Sequence, residues 1–187
     1  MYLQKWASNS HHLVLVIWSI VSLAHPDCGP DSYPLQVFDD PVCFNKIDKN
    51  HVYIVIMTTT YLVFDALIDV CLIKIKTGTD RLMLVHHFVG ITAGWAALLG
   101  GPGLTTMAIF ICLTEFSTIP LNRRNMMTKA ENKGKLGLCN NAVFFLSFTL
   151  FRAMNMPWCI YKYVIIWEHH WTHLGALRRC CYVYGAL

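Results

Sequence analysis

The residues that could do chemistry in this chain are ionisable side chains embedded in apolar sequence. Asp65 and Asp69 lie four apart in VYIVIMTTTYLVFDALIDVCLI, on one face of a helix that Tyr61 and Thr58 continue. His86 and His87 are adjacent in RLMLVHHFVGI, and two imidazoles at one place offer a general base or a ligand. Glu115, Thr118 and Asn122 form one stripe, Arg152 and Asn155 sit together in a later apolar run, and His11 and His12 enter the first. An ionisable group inside a bilayer costs about 2.5 to 3.5 kcal/mol on insertion scales, so such residues are functional candidates. The plain alternative is hydrogen bonding across helices that fixes packing. No metal is expected, because adjacent histidines on a helix point about 100° apart and no HxxxH or HxxH spacing places a second ligand on the same face. His169, His170 and His173 have ligand-like spacing but fall in the tail, where surface decoration is the simpler reading.

These residues need elements to hold them, and the composition says what kind. Of 187 residues, 55% are hydrophobic and 14% charged, with mean hydropathy +0.43. Soluble domains average about 25% charged. The deficit excludes a disordered chain and a binder of nucleic acid through its backbone. A crossing takes about 20 apolar residues, and six stretches approach that: 6–24, 52–73, 82–99, 104–121, 136–156 and 158–167 with an open continuation. Gly-Gly-Pro-Gly at 100–103 and Pro157 are the turn signals that divide the long runs. The expected fold is all-α, a polytopic transmembrane bundle over 6–167, followed by a cytosolic tail or helix end at 168–187.

Charge placement orients the bundle. The loop from His25 to His51 carries five aspartates against Lys46 and Lys49, whereas 11 of the 15 basic residues fall in the alternate connectors and at the ends. The positive-inside rule then places the acidic loop in the lumen, both termini in the cytosol and an even number of crossings between them. Counted from the span ends, Asp69, His86, His87 and Glu115 fall in the cytosolic half of the bilayer. Asp65 lies near its middle, and Arg152 nearer the lumenal end, there to snorkel or to pair with Asp65. Cys28 and Cys43 share the acidic loop and could form a disulfide if that loop is lumenal. The first run also has the form of a secretory signal peptide, but Trp6 and its His-bearing start favour a retained helix. Phosphate loops, GxSxG elbows and CxxC pairs are absent from the sequence.

At YLVFDALIDV, RLMLVHHFVGI, LTEFSTIPLNRR and FFLSFTLFRAMNMPWCIYK the sequence resembles the TLC domain family, the membrane domain of ceramide synthases and of several smaller TLC domain-containing proteins. The E-x-S-T-x-x-x-N-x-R pattern of Glu115, Ser117, Thr118, Asn122 and Arg124 is most similar to the smaller branch. The resemblance implies a helical domain of the endoplasmic reticulum or a related membrane, concerned with lipid synthesis, sensing or trafficking. In ceramide synthases a His-His pair opens a motif that continues into His-Asp-x-x-Asp and serves N-acyl transfer. His86 and His87 match its beginning, but FVGITAGWAALLGGPG follows and the second part is missing, which speaks against ceramide synthase activity. Family members have a longer last helix than WEHHWTHLGALRRCCYVYGAL supplies, which fits a truncated one.

The resulting expectation is a lipid homeostasis protein that binds or senses a lipid or acyl chain. Asp65, Asp69, Glu115, Thr118, Asn122 and Arg152 would line its polar pocket with His86 and His87. The alternative is an acyltransferase with His86 or His87 as general base and acyl-CoA as substrate; a transporter or scaffold is a further class. Membrane lipids are the expected partners, and neither a cofactor nor nucleic acid is expected.

Overall fold

The computed structural model describes residues 2–38, 40–73, 78–170, 176, 179–181 and 183. Their regular structure is helical throughout. In chain order it comprises α1 (Tyr2–Ala24), α2 (Pro41–Phe44), α3 (Lys49–Ile68), α4 (Gly78–Gly100), α5 (Pro102–Leu113), α6 (Thr118–Met126), α7 (Lys129–Lys133), α8 (Lys135–Phe148) and α9 (Asn155–His170). Among the described residues five stretches are long and apolar enough to cross a membrane: Gln4–Ala24, Lys49–Cys71, Arg81–Gly100, Pro102–Met126 and Lys135–Lys162.

The helix starts follow local chemistry. Asp48 caps α3 by accepting from the Asn50 N–H at 2.7 Å, and Asp40 caps α2 by accepting from Val42 at 2.8 Å, with Pro41 following in the first turn. Between α4 and α5 the chain reverses in one residue, Gly101, at φ 99°, a left-handed conformation that a side chain would oppose, and Pro102 then opens α5. Thr128 and Glu131 form a capping box on α7. The Thr128 N–H bonded to Glu131 holds that carboxyl below its ordinary pKa.

The bundle is inside-out relative to a soluble protein. On α1 the inward residues include Ser8, His12, Ser19 and Ser22, while Leu13, Val14, Ile17, Ile20 and Val21 face outward. Similar outward apolar rows run along α3, α4 and α8. Contiguous apolar surface of this extent marks a lipid-facing protein, and polar groups turned inward find partners only across helices. The α5–α6 segment is the central element: 61% of its apolar window is buried, against 11–33% for the other four.

Small residues set the closest approach. Gly90 and Gly94, one turn apart on α4, face α3, where a Cβ on Gly90 would lie 2.7 Å from Leu62 Cδ1 and one on Gly94 would overlap the Thr59 hydroxyl. Ala97, seven residues beyond Gly90 on α4, is also buried. Gly94 completes the contact. On the opposite end of the bundle, Cys28 and Cys43 are joined by a disulfide with a Cα–Cα distance of 5.1 Å.

One expectation is corrected. Pro157 does not end a span: α8 passes through a wide π-type turn, Thr149–Met154, directly into α9, so 135–170 is one helical run. Pro157 lies just beyond that wide turn, and local π adjustments of this kind re-satisfy the backbone groups that a proline frees inside a membrane helix. The hairpin that would separate a fifth crossing from a sixth at Pro157 is therefore not formed. Residues 171–175 of the tail, His173 among them, and the side chains of His169 and His170 lie outside the described residues.

Candidate functional site

The inward face of α1 forms a polar ladder. Residues Gln4, Ser8, His11 and His12 recur at intervals of three and four, the spacing of one helix face. Each reaches a different partner. Gln4 Nε2 donates to Asp65 Oδ1 at 3.0 Å and to Asp69 Oδ1 at 3.1 Å. Ser8 Oγ accepts from Asn122 Nδ2 at 3.2 Å. His11 stacks on Tyr61, with ring centroids 3.8 Å apart and planes 12° apart. His12 Nδ1 lies 3.5 Å from Glu115 Oε2.

At the first rung α3 and α4 close around one imidazole. His87 Nε2 is 3.4 Å from Asp65 Oδ2, and Nδ1 is 3.9 Å from Asp69 Oδ2. The ring is 3% exposed, and Nδ1 makes no hydrogen bond. Asp65 and Asp69 share a face because they are one turn apart. Directly at Asp69 the α-helix gives way to a wide turn, Asp69–Ile73. Turns of this kind inside α-helices are frequent at functional sites. His86 does not join the rung: it is exposed, its ring centroid is 6.1 Å from that of His87, and the two planes are tilted by 50°.

The second rung sits where α5 turns into α6. Thr118 Oγ1 donates to Glu115 Oε2 at 2.8 Å and accepts from Arg152 Nη2 at 3.4 Å, while Arg152 Nε donates to Ser117 Oγ at 2.9 Å. Arg152 therefore serves the Glu115 level, and its pairing with Asp65 is not what the structure contains. The reason is the uninterrupted 135–170 run: with no span end at Pro157, Arg152 lies well inside a helix, in the wide turn that re-aims its side chain toward α6. Asn155, one turn on, donates to the Phe110 carbonyl at 2.9 Å. The two rungs are linked through α1, whose Gln4 meets Asp65 and Asp69 and whose His12 meets Glu115.

Asp65, Asp69, His87, Glu115, Thr118, Asn122 and Arg152 are thus brought together, joined by Gln4, Ser8, His12 and Ser117. Gln4 and Ser8 are residues that reading from the sequence missed, although their spacing with His11 and His12 carried the signal. His51 is a second omission: it is 1% exposed, with Nδ1 3.1 Å from Thr106 Oγ1 and Nε2 3.9 Å from Asp48 Oδ2, and it ties the far end of α3 to α5. A separate apolar groove of about 150 Å³ lies between α6 and α8, lined by Phe116, Ile119, Leu136 and Val143 among others. It is smaller than the roughly 300 Å³ at which ligand pockets begin, and it stands apart from the ladder.

Chemically, the first rung can accept hydrogen bonds at two carboxylates, hold an oriented imidazole for proton transfer, or bind a cation. The second rung presents a carboxylate and a guanidinium bridged by Thr118. No curated protein and no solved structure matches the chain. The TLC domain family model matches residues 4–184, the whole of the helical bundle and its polar ladder. The chain belongs to the TLC domain family.

Proposed function

We propose that this membrane protein acts in lipid homeostasis by binding a lipid or acyl chain along its apolar helix surfaces, with the polar head held by the ladder on α1. The observation that carries this reading is the gathering of Asp65, Asp69, His87, Glu115 and Arg152 from four segments into one ladder inside an apolar bundle. Isolated charges at those depths would be expensive. A binding surface for a polar head gives a reason to keep them. In this reading the acidic loop lies in the lumen of the endoplasmic reticulum or a related membrane, where the Cys28–Cys43 disulfide is sustained. The basic connectors and the start of α1 are cytosolic.

A second reading is favoured by one specific contact. His87 beside Asp65 has the arrangement of a base oriented by a carboxylate, as an acyltransferase acting on an amine or hydroxyl with acyl-CoA would use. Purified protein assayed for acyl transfer, wild type against His87→Gln, separates the two. Histidine-dependent turnover supports the enzyme. Copurifying lipid without turnover supports the binding protein, and neither lipid nor turnover contradicts both.

A further inference from the structure

The first rung has a charge balance that its protein neighbours leave open. Asp65 and Asp69 bring two carboxylates to one face of α3, and Gln4 donates one amide hydrogen to the Oδ1 atom of each. An amide is neutral. It orients the carboxylates without compensating their charge, and it leaves both Oδ2 atoms turned toward His87. Like charges one helical turn apart repel, and the repulsion grows where the dielectric is low.

We propose that Asp65, Asp69 and His87 form a binding site for one divalent transition-metal ion of the zinc class. Each residue offers one ligand atom, and the three atoms lie within 4.8 Å of one another. Two carboxylates and a neutral imidazole make a net charge of −2, which a divalent ion cancels. An imidazole nitrogen beside two oxygens favours zinc, cobalt or manganese over calcium, which takes oxygen alone. The second, independent observation is His87 itself: a ring buried to 3% exposure whose Nδ1, 3.9 Å from Asp69 Oδ2, has no hydrogen-bond partner. Metal–ligand bonds of about 2.0 to 2.2 Å need the three atoms roughly 3.5 Å apart. Closure of about an ångström is therefore required, and Asp69, the most exposed of the three, is the one free to supply it.

Gln4 then has a defined part. It fixes the carboxylates from behind, as groups around a metal site do for the ligands. Three protein ligands leave a coordination position open, as catalytic rather than structural zinc sites do. The site goes beyond the lipid reading and does not depend on it, because ion binding can be measured without lipid.

The full chain, carrying an affinity tag free of histidine, is purified in detergent, stripped with a chelator and titrated with Co²⁺. Visible absorption and metal analysis then give affinity and stoichiometry. One Co²⁺ per chain, displaced by Zn²⁺, is expected. Asp69→Asn keeps the acceptor for Gln4 and removes only the charge; with His87→Gln it should weaken binding at least about 100-fold. Gln4→Ala should weaken it about 10- to 100-fold. Cys139→Ala, at an exposed thiol outside the site, should leave it unchanged. Folded wild-type protein that takes up no Co²⁺ overturns the proposal, as does undiminished uptake by both Asp69→Asn and His87→Gln.

Discussion

The α3–α4 seam carries Asp65 and His87, so its spacing can be tested at a position that touches neither. In Gly94→Ala the added methyl would overlap Thr59 Oγ1 and lie 3.2 Å from Thr59 Cβ and 3.4 Å from Cγ2. Thr59 is buried, and its hydroxyl is committed to the Val55 carbonyl at 2.7 Å, so it cannot rotate away without losing that bond. Overpacking of this kind costs about 1–3 kcal/mol. Alanine recovers about 0.5–1 kcal/mol over glycine within a helix, leaving a net loss of up to about 2.5 kcal/mol, or up to about 10 °C in melting temperature for a chain of this length. In the Thr59→Ala background the overlapping oxygen and Cγ2 are gone, the 3.2 Å approach to Cβ that remains asks for a shift of only a few tenths of an ångström, and the helix-propensity gain should outweigh it, so that Gly94→Ala becomes stabilising. Thermal unfolding in detergent of the wild type, both single variants and the double variant gives the coupling between the two positions directly. An effect of the same sign in both backgrounds would refute the idea that Gly94 is needed for close approach to Thr59.

Three further outcomes follow from the same contacts. Arg152→Met removes the donors to Ser117 and Thr118 and leaves Glu115 without its bridged cation; a loss of about 1–3 kcal/mol is expected, read as a lower melting temperature, whereas Arg152→Lys should recover part of it. Cys43→Ser opens the loop closed by the disulfide and should cost about 3 kcal/mol; thiol labelling of the wild type after denaturation without reductant, which also exposes the buried free thiols, should leave two of the eight cysteines unlabelled. Glu131 has a depressed pKa when folded, so its support for α7 is present above the unfolded value and is lost as pH falls through the lowered one. Amide protection over Lys129–Lys133, corrected for the intrinsic pH dependence of exchange, should therefore fall at acid pH in the wild type, while Glu131→Gln should show a much weaker pH response.

The fold was largely legible because the bilayer imposes a coarse code: long apolar runs, charges sorted between connectors, and Gly101-Pro102 at a turn that needs a left-handed residue. Pro157 was misleading for a local reason. A proline within a run need not end it, and here the wide turn just before Pro157 takes up the backbone change inside a continuous helix. That one feature also displaced Arg152 in depth. The candidate site was legible as a set of residue types, since aspartate, histidine and glutamate are conspicuous among apolar residues. Their partners were not, because Gln4 and Ser8 are ordinary polar residues near a helix end, and only packing against α3 and α6 gives them a role. Which of two adjacent histidines turns inward is likewise a matter of helix rotation, fixed by the Gly90–Gly94 contact with α3.

The claim that the ladder holds a lipid head is tested most directly by mass spectrometry of the lipids that copurify with the wild type and with folded Asp65→Asn and His87→Gln variants. One lipid class enriched over the surrounding membrane in the wild type, and reduced to the membrane's own proportion in both variants, is the predicted result. A lipid profile that matches the bulk membrane in all three proteins, or an enrichment indifferent to Asp65 and His87, would contradict it.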